Sequence, residues 1–99
     1  MQVRYEDDAL RRLAEEPEFT PTEWNRDVIK AYRKTIQWIC AAKDERDLRN
    51  IKGLRLKKLK ADREGQLSMR LNDQYRVIVR FESDGDRVTV VVEIVDYHG

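Results

Sequence analysis

Histidine and cysteine each occur once in these 99 residues, proline twice and glycine four times. Each scarcity removes a class of function. With Cys40 alone there is no internal disulfide, which fits a reducing compartment. On a helix that cysteine reads as a small buried hydrophobe rather than a nucleophile. One histidine and one cysteine give no metal-ligand spacing, so no metal or other cofactor is expected. There is no glycine-rich phosphate loop, and neither Ser68 nor Cys40 has a patterned partner for nucleophilic catalysis. No apolar run reaches membrane-spanning length and no secretory h-region is present. The expected setting is the cytoplasm, with no membrane partner.

Charge is what the chain has in quantity. Lys, Arg, Asp and Glu make up 39% of it, and the 40% that is hydrophobic is periodic rather than scattered. That combination predicts a folded domain with a heavily charged surface, and the length suits a single domain spanning residues 1–99. The formal net charge is only +1, but it is unevenly spread. Residues 51–76 hold eight basic and three acidic side chains, whereas residues 1–50 hold ten basic and eleven acidic ones. A local basic field on a near-neutral protein is an electrostatic footprint for an anionic partner.

Along the chain, Gln2 to Tyr5 alternates as a short strand. Asp7 or Asp8 can cap a helix with Leu10, Leu13 and Ala14 on one stripe, ended by Pro17. Phe19 follows in a loop. Thr20-Pro21-Thr22-Glu23 has the form of a capping box with proline at the first helical position. From Pro21 to about Lys43, Trp24, Val28, Tyr32, Ile36 and Ile39 recur every three or four positions, predicting one long amphipathic helix. Trp38 flanks that stripe and reads as a packing aromatic rather than a base-stacking platform. Asp44 caps a short third helix stopped at Gly53. From Leu54 the pattern turns to strand, with Leu54 and Leu56 alternating with Arg55 and Lys57. A turn at Asp62-Arg63-Glu64-Gly65 leads into a hairpin.

That hairpin carries opposite cargo on its two faces. Leu67, Met69 and Leu71 alternate with Ser68, Arg70 and Asn72; after Asn72-Asp73-Gln74, the residues Tyr75, Val77, Val79 and Phe81 alternate with Arg76, Ile78 and Arg80. Side chains on a strand alternate between faces, so one face is apolar and the other carries guanidinium groups, whose planar fork suits phosphate. A second hairpin turns at Ser83-Asp84-Gly85-Asp86. The last strand, Arg87 to Asp96, is rich in valine. Taking Val88, Val90, Val92 and Ile94 as its core face puts Asp96 and His98 on that face and Tyr97 with Thr89 and Glu93, towards the arginines. A bulge near Val95 would reverse this. The architecture is α+β, with N-terminal helices on one face of an antiparallel sheet.

The chain ends Asp96-Tyr97-His98-Gly99, three acid–base groups at the end of an apolar strand that should pin them. With Arg70, Arg76 and Lys60 they form a set suited to RNA cleavage by the RNA's own 2′-hydroxyl. That reaction needs a base, an acid for the departing 5′-oxygen, and cations for the developing charge. A single histidine excludes a two-histidine mechanism, so one proton transfer falls to Tyr97, Asp96, a lysine or the substrate environment.

The segment LKADREGQLSMRLNDQYRVIVRF (Leu59 to Phe81) followed by EIVDYH resembles the HigB branch of the RelE/ParE toxin superfamily, closely from Gly53 to His98. The resemblance implies a small RelE-like sheet, mixed at its first strand, with helices on one side. It further implies a toxin of a type II toxin–antitoxin system, a ribosome-dependent mRNA endonuclease partnered by a HigA-like helix-turn-helix antitoxin. By position, Lys60 and Arg76 would hold phosphate, Arg70 would add a contact, and Asp96, Tyr97 and His98 would supply acid–base and orienting groups. Arg55, Lys57, Lys58 and Arg63 would meet RNA backbone. Two departures stand out: Ala61 replaces a usual glycine, and Arg55 and Lys57 occupy the strand where several relatives carry a histidine. A ParE-like gyrase poison and an inactive antitoxin-binding module are the alternatives, the first disfavoured by the acid–base tail.

Overall fold

A computed structural model describes residues 1–97; His98 and Gly99, with the site role expected of His98, lie outside the described residues. The chain runs β1 (Gln2–Tyr5), α1 (Asp8–Glu15), α2 (Arg26–Ala41), α3 (Glu45–Arg49), β2 (Lys57–Lys58), β3 (Leu67–Arg70), β4 (Tyr75–Asp84) and β5 (Asp86–Asp96). Five strands form one mixed sheet in the order β1-β5-β4-β3-β2, with β1 parallel to β5 and every other pair antiparallel. The three helices cover one face of it, here called the inner face. There Leu10, Leu13, Val28, Tyr32, Ile36, Ile39 and Leu48 pack against Leu67, Met69, Val77, Val79 and Val91.

The helices begin where a side chain can satisfy their free N–H groups. Asp7 caps α1 by accepting from the Ala9 N–H, and Asp44 caps α3 by accepting from the Arg46 N–H. α2 starts five residues later than its capping-box sequence predicts. Asn25 accepts from the Val28 N–H at 3.0 Å and takes the cap position. Thr20 to Trp24 stay outside the helix, and Trp24 packs against the core from the entering chain. Asparagine is at least as good a cap as threonine, and here it also frees Trp24 to turn inward. Arg33 then ties the entering loop to α2, its guanidinium donating to the carbonyls of Leu13, Glu16, Pro17 and Phe19. The C-terminal carbonyls of α2, at Ile39, Cys40 and Ala42, accept from the Met1 ammonium, a favourable place for a cation.

Cys40 is exposed, not buried as its helix position suggested. Successive helical residues are turned by 100°, and Ile39 takes the inward direction in the last turn. The strand expected from Leu54 shrinks to Lys57–Lys58. Leu54 instead ends a 3-10 turn and is buried, and Arg55 follows in the left-handed region at φ 47°, which breaks the extended run.

The two hairpins form as their turn residues require. Asn72 Oδ1 accepts from the Gln74 and Tyr75 N–H groups, closing the first. Gly85, at φ 76°, is the one residue between β4 and β5.

β5 holds the main surprise. Its pairing with β4 shifts between Ile78 and Val79, which face Glu93 and Val91, so Val92 is an extra residue in a β-bulge. Before the bulge, Thr89 and Val91 face inward while Val88 and Val90 lie on the outer face; after it, Ile94 faces inward opposite Val77. The uniform Val88-Val90-Val92-Ile94 face is therefore corrected: two residues of that set lie on the side opposite Ile94. Val88, Val90, Ile78 and Ser68 are nonetheless buried on the outer face. Long ion-paired side chains belong to that face too: Arg4 with Asp84, Arg80 with Glu6 and Glu82, and Arg63 with Glu93.

Candidate functional site

The bulge decides which side chains at the end of β5 meet the arginines. Beyond Val92, Glu93 pairs with Ile78 and Val95 with Arg76, so Glu93, Val95 and then Tyr97 belong to the outer face. The Tyr97 N–H donates to the Gln74 carbonyl at 2.6 Å, and Gln74 Nε2 donates to Asp96 Oδ2 at 3.1 Å. The end of β5 is thus fastened to the start of β4, as the apolar strand before it suggested. Tyr97 points towards the arginines: the Arg76 guanidinium carbon sits 4.6 Å from the centre of its ring. Asp96 shares the register of Tyr75 and so lies on the other side of the strand, where it serves to hold Gln74.

Arg70 and Arg76 stand directly opposite each other on β3 and β4. Like charges in that position destabilise a sheet. Asp73 pairs with Arg70, but among the described residues Arg76 has no carboxylate partner and its buried Nη1 no hydrogen bond. A buried polar atom without a partner costs about 1–3 kcal/mol. An anion placed against these guanidiniums would relieve the repulsion.

The remaining basic candidates divide. Lys57 pairs with Ser68 and lies in the same row as Ile78 and Glu93, on the outer face; Lys58 pairs with Leu67 and lies on the inner-face side of the sheet edge. Both are exposed, as are Arg55 and Lys60. Lys60 opens the 3-10 turn Ala61–Arg63, in which Ala61 sits at φ 60°, the left-handed conformation a glycine would take without strain. Arg63 closes that turn and reaches across the sheet, donating to Gln66 at 3.0 Å and to Glu93. The alternation pattern gave Glu93 its face, but its ion pair with a residue thirty positions earlier left no local signal.

Tyr32 and Tyr5 are poorly placed for proton transfer. Burial pushes the Tyr32 hydroxyl far up, and it donates to the Leu10 carbonyl at 2.8 Å. Tyr5 is pushed up to about 12, chiefly by burial, with Cys40 and Glu15 adding to the effect. A cleft of about 640 Å³ along α2, lined by Arg26, Lys30 and Lys34 among others, lies on the helical side, away from the arginine pair. No helix of the described chain is long and apolar enough to cross a membrane.

The fold recurs in solved structures of toxins. The chain is similar to a YoeB/ParE toxin from Agrobacterium tumefaciens, with a TM-score of 0.58 and 14% identity, covering 99% of this chain and 100% of that one. It is similar to a chain of the toxin–antitoxin complex RelBE2 from Mycobacterium tuberculosis, with a TM-score of 0.53 and 16% identity, covering 96% and 95%. At such identities the likeness shows a shared fold. No curated protein matches the chain. A sequence profile described as "RelE-like toxin of type II toxin-antitoxin system HigB" matches residues 3–98, nearly the whole length and including the hairpin and the terminal strand. The chain belongs to the HigB-like toxin family, the RelE-like toxins of type II toxin–antitoxin systems.

Proposed function

We propose that this toxin is a ribosome-dependent mRNA endonuclease of the cytoplasm, acting as one domain and held in check by a HigA-like helix-turn-helix antitoxin. The observation that carries the reading is the Arg70–Arg76 pair, set opposite each other beside Tyr97, with Arg76 Nη1 buried and unpartnered among the described residues. A protein that only bound its antitoxin would have no need to maintain that repulsion.

In this reading a backbone phosphate of the mRNA rests against Arg76, with Lys60 and Arg70 as further contacts. The RNA's 2′-hydroxyl attacks the adjacent phosphorus, and the 5′-oxygen leaves. The cations stabilise the extra negative charge of the phosphorane, where a lost donor costs about 3 kcal/mol. Tyr97 and His98 take part in the proton transfers, and Asp96 orients them by fixing the end of β5. Arg55, Lys57, Lys58 and Arg63 contact mRNA or ribosomal RNA backbone, an affinity that weakens as salt rises.

The test is to express the chain without antitoxin and map 5′ ends of cellular mRNA, with and without translation blocked. In-frame cuts that vanish when translation stops are the expected result. Growth arrest with intact mRNA and broken DNA would replace this reading with a gyrase poison. Neither arrest nor cuts would leave an antitoxin-binding module.

A further inference from the structure

We propose that Glu93 is the general base of this cleavage, a role that rests on the function proposed above. The 2′-hydroxyl must lose a proton to something that is unprotonated at neutral pH. Guanidiniums cannot accept it, an ordinary lysine or tyrosine, with a pKa near 10, is already protonated, and the one histidine, His98, is assigned here with Tyr97 to the leaving oxygen. A carboxylate, with an ordinary pKa of about 4, is ready to accept.

Among the described residues, the carboxylates near Arg76 are few. Asp73 lies in the hairpin turn, almost fully exposed and paired with Arg70. Asp96 has the opposite register and holds Gln74. Glu6, Glu82 and Asp84 are committed to Arg80 and Arg4. Glu93 shares the face of Arg76 and sits one row away, paired with Ile78 while Arg76 pairs with Val95. Such diagonal neighbours are about 7–8 Å apart at the backbone, a gap that a phosphate and its ribose can bridge.

The carboxylate is also prepared for the task. It is 42% exposed, and one oxygen, Oε1, accepts from Arg63, which fixes its direction and offsets its repulsion of the phosphate. The other oxygen, Oε2, has no hydrogen bond among the described residues and keeps its lone pairs free. Among the described residues, the charged and titratable groups facing Glu93 are Arg63 from the turn before β3, Lys57 in its row on β2, Arg76 on β4 and Tyr97 on its own strand. Arg80, further along β4, is occupied by Glu6 and Glu82.

The step balances without an added reagent. Glu93 takes the 2′-hydroxyl proton, the 2′-oxygen forms a bond to phosphorus, and the bond from phosphorus to the 5′-oxygen breaks. The leaving oxygen takes a proton from Tyr97 or His98. A 2′,3′-cyclic phosphate and a 5′-hydroxyl remain.

Single-turnover cleavage of ribosome-bound mRNA by saturating toxin, followed across a range of pH, tests the assignment. Glu93→Gln still accepts a hydrogen bond from Arg63 but cannot take a proton. The expected rate falls roughly 10²–10⁴-fold, the acid-side rise of the wild-type profile disappears, and ribosome affinity and circular dichroism are unchanged. Glu93→Asp restores part of the rate together with the acid-side rise. Cleavage by Glu93→Gln at the wild-type rate would overturn the proposal. So would a slower rate with an unchanged pH profile, which makes Glu93 a strap for Arg63 alone. Wild-type toxin that leaves mRNA intact in the same assay overturns the proposed function, and the role of Glu93 with it.

Discussion

Replacing Arg76 with methionine is predicted to move stability and activity in opposite directions. The guanidinium keeps Nη1 buried and, among the described residues, unpartnered, at a cost of about 1–3 kcal/mol. It faces Arg70 across the hairpin, a like-charge pairing that costs a few tenths of a kcal/mol up to about 1. Against this, stacking on the half-exposed Tyr97 ring returns about 0.5–1 kcal/mol. Methionine keeps an apolar stem of similar length and removes the unmade bond. The variant should therefore be as stable as the wild type or more stable by about 1 kcal/mol. For a domain of this size that is a rise of about 4–8 °C in Tm. Its cleavage rate should drop on the order of 10²–10³-fold, the loss expected for one transition-state donor. Urea unfolding and single-turnover cleavage on the same preparations read both quantities. A methionine variant less stable than wild type by about 1 kcal/mol or more would refute the reasoning, because it would mean that Nη1 is satisfied in the free protein.

Three further outcomes are expected. Ala61→Gly relieves a left-handed alanine and should stabilise the fold by about 0.5–1 kcal/mol, read as a shift in denaturation midpoint; a lower midpoint would show that the turn at Lys60 tolerates alanine without strain. Asn25→Ala should cost about 1 kcal/mol while Thr20→Ala costs little, and the reverse order would restore the earlier helix start. The hydrogen bond from Arg87 lowers the Glu45 carboxyl below its ordinary 4.5, outweighing the opposing effect of burial. A folded-state value below the unfolded one adds stability that is complete above pH 4.5 and lost as pH falls through the depressed value. Acid titration of unfolding should show that loss in wild type and not in Glu45→Gln; parallel curves would sink the linkage.

The α+β architecture, the turn residues and the arginine face were legible because each depends on neighbours in sequence. Alternation of Leu67 and Met69 with Ser68 and Arg70 needs nothing beyond β3 itself. The start of α2 was misread because two good caps compete five residues apart, and the packing of Trp24, a tertiary matter, favours Asn25. Leu54 looked like strand because a buried leucine satisfies both patterns, and only the left-handed Arg55 distinguishes them. In β5 a run of valines suits either face, so the sequence had no means of marking where the register slips. Of the site, period-two counting placed Tyr97 on the arginine side, where it stands beside Arg76, but the Thr89 counted with it faces inward because the register slips at Val92. The Arg63–Glu93 and Arg80–Glu6 pairs, which join residues thirty and seventy-four positions apart, were beyond such counting.

The extra residue at Val92 gives β5 a half-period phase slip, and the two halves of the strand thereby answer to different demands. Upstream of it, the alternation is in phase with the core: Val91 meets the helices, and a change of residue there is a change in packing. Downstream, the phase is reset so that Ile94 takes over the inward position and every second residue after Val92 is released to the arginine side. Pairing Val92 regularly with Ile78 instead of bulging it out would exchange the two sets, turning Glu93 and Tyr97 under the helices and Ile94 out to water. The fold thus keeps an unbroken apolar strand and a polar working edge on the same eleven residues.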